Sequence, residues 1–449
     1  MENSLCPLDN RYHKKVDSLC EYYSYKSWIK YRLNVELEYF NELYLLLHTI
    51  SNDISNDKMT EFLSLSNAFN LDEILSIEKT TLHDIKAIEL YLRNQYDKLN
   101  IGPPQYKELI HFGLTSQDIN SVAFSLQLKD CMSECIIPKL NSMLDTLYDI
   151  ALKWRSVTIL ALTHGQPAIP TRLGKEIEVY IERLVYCIEK LQNFEYYTKI
   201  GGAVGTLAAH YLTYPEYDWL QFFNNFCRNL GLTRWQRTTQ ITNYEDIIEL
   251  SQILIRINNI FVDFCQDIWL YISNKIFILN KELESQVGSS TMPQKVNPIN
   301  FENAEGNLKL ANSGLEFFSG KLPISRLQRD LTDSTVLRNY GMYIGYMTLA
   351  FTNIEQGIKQ LKPNIEEINL QLNKSPEIMS EAVQCLLRKH GIADGYEIVR
   401  SLTQHIQFNN LDHFKEEIIK RLQDIPDIPD ILKNEILDLN FNSYLGFIR

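Results

Sequence analysis

A surplus of positive charge is the first thing this sequence lacks. Its 44 lysines and arginines stand against 56 aspartates and glutamates, a formal charge of -12 over 449 residues. General nucleic-acid binding needs a basic face for the phosphates and is not expected. A small anionic ligand held by a local basic cluster stays open. The eight cysteines include no C-x-x-C pair, so they suggest no zinc site: Cys6, Cys20, Cys131, Cys135, Cys187, Cys227, Cys265 and Cys385 are scattered through apolar helical patterns. Buried free thiols in a reducing cytoplasm are the expectation. No apolar run follows the first charges, so a signal peptide is not expected. The longest apolar segment is broken by Arg256, Asp263 and Asp267, which argues against a simple membrane span. Internal repeats, low-complexity tracts and the alternating pattern of strands are all scarce, leaving an almost all-α chain.

Long helical patterns fill that space. With 45% hydrophobic residues the chain can bury a substantial core and divide into more than one domain. Gly102-Pro103-Pro104 closes a first domain, 1–104, whose helices include Tyr25 to Ile50 and one near Leu82 to Leu99. A central domain, 105–358, follows. Gln117 to Arg155, Lys175 to Ile200, Tyr244 to Asn280, Pro298 to Ser319 and Ser334 to Leu361 read as its long helices, with a bend at Pro138. Neither glycine nor proline occurs between Gly231 and Gly288, and 30 helical residues would extend ~45 Å. Ile253, Ile257, Ile260, Phe261, Phe264 and Ile268 form a broad stripe there, with Leu254, Ile255, Val262 and Trp269 around the cylinder. Such a rod must be buried on most sides, which predicts a bundle shared between subunits. Shorter helices in 359–449 form a third domain.

The stretch Gly288 to Asn303, GSSTMPQKVNPINFEN, lies between two of these helices. Asn297 is a good N-cap and Pro298 suits the first helical position. Lys295, the loop N–H groups and the positive helix end would together stabilise an anion. A serine hydroxyl is normally too weak an acid to act as a base, but this setting could support the alkoxide of Ser289 or Ser290 once water is excluded. By composition alone the stretch is equally a Gly/Ser/Pro connection in which both serines fill a turn. His164, in Thr163-His164-Gly165-Gln166-Pro167, could be structural or catalytic. A charged cluster, Lys321 to Arg338, holds Lys321, Arg326, Arg329 and Arg338 against Asp330 and Asp333. Its forked guanidinium groups suit phosphate and carboxylate, and a solvated charged face is the alternative.

GSSTMPQKVNP resembles the G-S-S-x-M-P-x-K-x-N-P signature of the fumarase/aspartase superfamily. Ser325 to Arg338, SRLQRDLTDSTVLR, resembles a block of the adenylosuccinate lyase family of bacterial type that its relatives do not share. Four further stretches resemble blocks of that family: Arg11-Tyr12 in LDNRYHKKV, Thr80 to Glu89 (TTLHDIKAIE), Thr115 to Asp118 (TSQD) and Gln240 in RTTQI. The departures are Asn10 for glycine, Leu82 for asparagine, and Gln294 where histidine or tyrosine is common.

The resemblance implies a three-domain, all-α fold whose central long-helix bundle is shared in a homotetramer, with each site built from several chains. It implies Ser289 as general base and His164 as general acid paired with Glu302. Substrate contacts are implied for Arg11, Tyr12, His83, Asp84, Thr115, Ser116, Gln240, Ser290, Lys295, Val296, Asn297, Asn303, Arg329, Ser334, Thr335 and Arg338. Thr115 has capping as its alternative role. Glu284 to Val296 would be a lid hinged near Gly288 and Pro293. Expected substrates are purine nucleotides, cleaved in the cytoplasm with release of fumarate; no cofactor, metal, nucleic acid or membrane partner is expected. An argininosuccinate lyase or a non-catalytic helical scaffold of the same superfamily is the alternative.

Overall fold

The structure is a computed structural model that describes residues 5–48, 53–280, 292 and 295–447. It is predominantly helical, with three two-stranded sheets among the described residues. The chain divides into two compact units, each gathered from separated stretches: 1–141, 186–259 and 306–352 in one, 142–185, 260–305 and 353–449 in the other.

The first unit is organised on the helix Tyr25–Leu47. Ser24 starts it by accepting the Ser27 N–H at 3.2 Å, and Leu33, Leu37, Phe40 and Leu43 recur on one face and are buried. Phe40 meets Phe62 and Tyr96 edge-on with centroids 5.2 and 6.1 Å apart. Truncating such a ring would cost about 3–5 kcal/mol. Ser116–Cys131 is the second central helix of this unit, and its Asp118 and Gln127 are fully buried. The bend expected at Pro138 takes the form of a π-helical segment, Met132–Ile136, just before the proline. Proline has no N–H and its ring crowds the carbonyl four residues back; the wider turn accommodates both.

Several expected helices are shorter than the pattern suggested. Glu245–Ser273 replaces Tyr244 to Asn280, because Phe277–Leu279 leaves the helix to pair antiparallel with Leu361–Pro363. Leu173–Gln192 replaces Lys175 to Ile200, and Tyr197–Thr198 pairs parallel with Thr233–Arg234. The segment from Ser334 is two helices, Thr332–Leu337 and Tyr340–Gln360, with Arg338 at the break. Ile253, Ile257, Ile260, Phe261, Phe264 and Ile268 are buried as the stripe requires, whereas Trp269 is exposed. Cys131, Cys187, Cys227 and Cys265 are buried, but Cys20 and Cys385 are exposed, so the expectation of buried thiols holds only in part.

In the second unit, Thr158–Thr163 and Gln166–Arg172 form an antiparallel hairpin. His164 and Gly165 make its two-residue turn with φ of 56° and 71°, the backbone sign of the tight turns that match strand twist. The helix Ile299–Lys321 begins one residue later than expected. The Pro298 carbonyl accepts the Glu302 N–H at 3.2 Å, which puts Pro298 rather than Asn297 at the cap.

Candidate active site

Within the first unit, an open cavity of about 910 Å³ gathers seven of the expected residues: His83, Asp84, Ser116, Gln240, Arg329, Ser334 and Arg338. That volume suits a nucleotide-sized ligand. Leu82, at φ 52°, reverses the chain between helices Leu71–Thr81 and Asp84–Lys98. His83 then caps the second helix: its Nδ1 accepts the Lys86 N–H at 3.2 Å. That bond leaves the proton on Nε2, which donates to Ser116 Oγ at 3.4 Å. Asp84 accepts the Ile85 N–H at 2.9 Å through Oδ1, while Oδ2 meets Arg32 Nη1 at 3.1 Å and Arg338 Nη2 at 2.9 Å. Burial opposes the Asp84 charge, but Arg32, the Ile85 N–H and Arg338 outweigh it and hold this carboxyl below its ordinary range.

Across the cavity, Gln240 is fixed at both ends of its amide. Its Nε2 donates to the Ala203 carbonyl at 2.9 Å and its Oε1 accepts from Arg329 Nη1 at 2.9 Å. Arg329 Nη2 also reaches Ser334 Oγ at 3.4 Å. Behind Ser334, buried Asp333 accepts the Ser334 N–H at 2.6 Å and the Tyr244 hydroxyl at 2.5 Å. Gln117 Nε2 donates to that same hydroxyl at 3.0 Å. Asp330 is held down to about 2 by the Thr332 hydroxyl first, then by the Thr332 and Arg326 N–H groups and the Arg326 charge. The cavity therefore presents forked cations whose orientations are set by neutral and anionic partners behind them.

Thr115 does not line this cavity. Its N–H and hydroxyl both donate to Asp118 Oδ2, at 2.8 and 3.1 Å, so the capping role is the observed one. Asp118 Oδ1 meets Lys199 Nζ at 2.5 Å, with both side chains fully buried, and accepts the Gly201 and Gly202 N–H groups at 2.8 and 3.1 Å. This pair anchors the loop whose Ala203 and Val204 line the cavity. Gly205 closes the loop at φ 80°, where a Cβ would come within 2.1 Å of the Thr238 carbonyl oxygen. Thr335 bonds back to the Leu331 carbonyl at 3.3 Å. Arg11 and Tyr12 are also absent from the cavity lining; the Arg11 guanidinium lies 5.7 Å from the Tyr12 ring centroid.

The remaining expected residues that the structure describes belong to the second unit. His164 is exposed at its hairpin tip. Glu302, also exposed, accepts the Trp269 indole N–H at 3.1 Å, and among the described residues no hydrogen bond joins it to His164. Lys295 is exposed, its N–H donating to the Met292 carbonyl at 3.0 Å, and Val296 and Asn297 are half-buried. Asn303 Oδ1 accepts from Asn353 Nδ2. Ser289, Ser290 and most of the expected lid lie outside the described residues. Among the described residues no group of three His, Cys, Asp or Glu side chains is placed to hold a metal ion, and no helix is long and apolar enough to cross a membrane.

Comparison with known proteins bears directly on these blocks. A family model described as "Lyase" matches residues 10–311, and one described as "Adenylosuccinate lyase C-terminal" matches residues 325–445. The adenylosuccinate lyase of Dictyostelium discoideum is 41% identical over 454 residues, covering 99% of this chain and 97% of that protein. That of Escherichia coli (strain K12) is 38% identical over 409 residues, covering 89% and 88%.

The chain belongs to the adenylosuccinate lyase family.

Its fold extends beyond adenylosuccinate lyases. A fumarate lyase from Mesorhizobium sp. BNC1 superimposes with a TM-score of 0.72 at 18% identity, covering 96% of this chain and 95% of that one. The beta-carboxy-cis,cis-muconate cycloisomerase of Acinetobacter calcoaceticus gives 0.71 at 16%, with the same coverage. Within this adenylosuccinate lyase family member, sequence reasoning missed Arg32, Asn120, Asp118 and Lys199 as supports of the cavity. Arg32 and Lys199 lie in stretches whose pattern gives no sign that a cation is buried there. Asp118 did carry a signal, an acidic residue three positions after Thr115, which is the spacing of a capping box.

Proposed function

We propose that this chain cleaves adenylosuccinate to AMP and fumarate, and the related succinyl-carboxamide ribotide of purine synthesis, by β-elimination in the cytoplasm. The observation that carries the reading is the cavity in which Arg329, Ser334 and Arg338 of the family's discriminating block meet His83, Asp84, Ser116 and Gln240. Such forked donors suit a phosphate or carboxylate, and phosphate binding far from the reacting carbon can be used to position the succinyl group.

In this mechanism Ser289 removes the proton next to a succinyl carboxylate and a doubly negative aci-carboxylate develops. Lys295, Asn297 and nearby N–H groups stabilise that charge. The carbon–nitrogen bond then breaks, its electron pair going to nitrogen, which takes a proton from His164. Glu302 would orient the imidazole, and Ser290, Val296 and Asn303 would complete the succinyl side. Arg11 and Tyr12 would join the phosphate grip, and Thr335 would border it. His164 and Glu302 are both exposed, which leaves each accessible to the other subunits of a homotetramer in which different chains would supply them.

Incubating the purified protein with adenylosuccinate and following ultraviolet absorbance tests this. A steady change with release of fumarate is expected. Silence there with turnover of argininosuccinate would replace this substrate by that one, and silence with both would favour a scaffold without activity.

A further inference from the structure

Arg32 is only 2% exposed, yet it lies directly behind the wall of the nucleotide-sized cavity. Its Nη1 is 3.1 Å from Asp84 Oδ2, its Nε donates to Asn120 Oδ1 at 2.9 Å, and its guanidinium carbon is 5.2 Å from the Trp28 ring centroid. Arg338, half exposed on the cavity side, donates to the same Asp84 Oδ2 at 2.9 Å. Two guanidinium groups thus share one carboxylate oxygen, and the trio carries a net charge of about +1 at neutral pH, since arginine is always protonated and this carboxyl is ionised.

An anion entering the cavity competes with Asp84 for Arg338. Asp84 is mostly buried, with 18% of its side chain exposed, so stripping it of its last cation would be costly. Arg32 removes that cost. Anchored by Asn120 and by the Trp28 face, it cannot follow the anion and stays on Asp84 when Arg338 turns away. We infer that Arg32 is a positioning residue for anion binding: it keeps Asp84 neutralised and in place while Arg338 passes from that carboxylate to the ligand's phosphate or carboxylate. This deepens the functional reading above and rests on it for the identity of the ligand.

A double-mutant cycle in the full-length chain tests the inference. Arg32→Met is expected to raise KM for adenylosuccinate, and the inhibition constant of inorganic phosphate, by about tenfold or more while changing kcat less than about threefold. In an Asp84→Asn background, where no carboxylate needs a second cation, the same substitution should cost less than about threefold. Equal losses in both backgrounds would mean that Arg32 only supports the fold, and would overturn the proposal. Should Arg32→Met fail to fold, Arg32→Lys decides through the same cycle: it keeps a cation but loses the Asn120 bond and the planar Trp28 contact, so the inhibition constant of phosphate should rise about threefold or more beside Asp84 and change less in the Asp84→Asn background. An equal change in both backgrounds at unchanged Tm would contradict the assignment. If the unmodified protein does not turn over adenylosuccinate, the functional reading falls. Calorimetric titration of the same variants with inorganic phosphate then tests Arg32 by the same comparison.

Discussion

Leu82 shows how one residue can carry a conformational cost at a binding cavity. It is 87% exposed and sits at φ 52°, where a side chain other than glycine or asparagine is disfavoured by about 1 kcal/mol or more. Leu82→Asn should therefore stabilise the protein by about 1 kcal/mol, read as a higher denaturation midpoint; an unchanged or lower midpoint would show that the leucine is compensated by packing. This departure from the family pattern was legible in the sequence, but its backbone state was not, because nothing local marks Leu82 as a left-handed helix end. His83 was legible only as a ligand contact, whereas it is also the cap of the following helix. Arg32 was invisible for a different reason: its burial depends on Asp84, Asn120 and Trp28 converging from three places in the chain.

Among the elements, helices with a continuous apolar stripe were readable and the short strands were not. The 253–268 stripe declared its helix through period alone, and its buried residues follow that stripe. The hairpin bearing His164 escaped because Pro167 and Pro170 disguise its second strand and a His-Gly turn is not a common hairpin signal. Its position nevertheless explains how a short loop can present an imidazole. The cavity loop 199–205 depends on the buried Asp118–Lys199 pair, so Lys199→Met should destabilise the fold by about 3–5 kcal/mol by leaving Asp118 uncompensated; a loss under about 1 kcal/mol in denaturant melts would contradict that dependence.

Asp246, in the first turn of Glu245–Ser273, gives a pH signature. Burial raises it from 3.8 to about 6 against the backbone N–H groups that favour its charge. The folded state then binds this proton more tightly than the unfolded chain, so the carboxyl's contribution to stability is complete below about pH 4 and is lost as pH rises through about 6. Asp246→Asn should match the unmodified protein near pH 4 and exceed it by about 2–3 kcal/mol at pH 8. The same difference at both pH values would exclude ionisation as its cause.

For the whole molecule, the expected residues separate by unit. His83, Asp84, Ser116, Gln240, Arg329, Ser334 and Arg338 gather in the first, while His164, Lys295, Asn297, Glu302 and Asn303 belong to the second. Motif spacing could name these residues but could not say which of them one chain brings together, since that depends on contacts far apart in sequence. In the proposed enzyme, anion binding and proton transfer are accordingly separable functions, and variants of the proton-transfer pair should spare binding. The decisive measurement is steady-state cleavage of adenylosuccinate by Ser289→Ala and His164→Ala beside the unmodified protein, with inorganic phosphate binding as the control. The account predicts turnover lowered by about 100-fold or more in each variant, with phosphate affinity and Tm unchanged. Near-normal turnover in either one would contradict it.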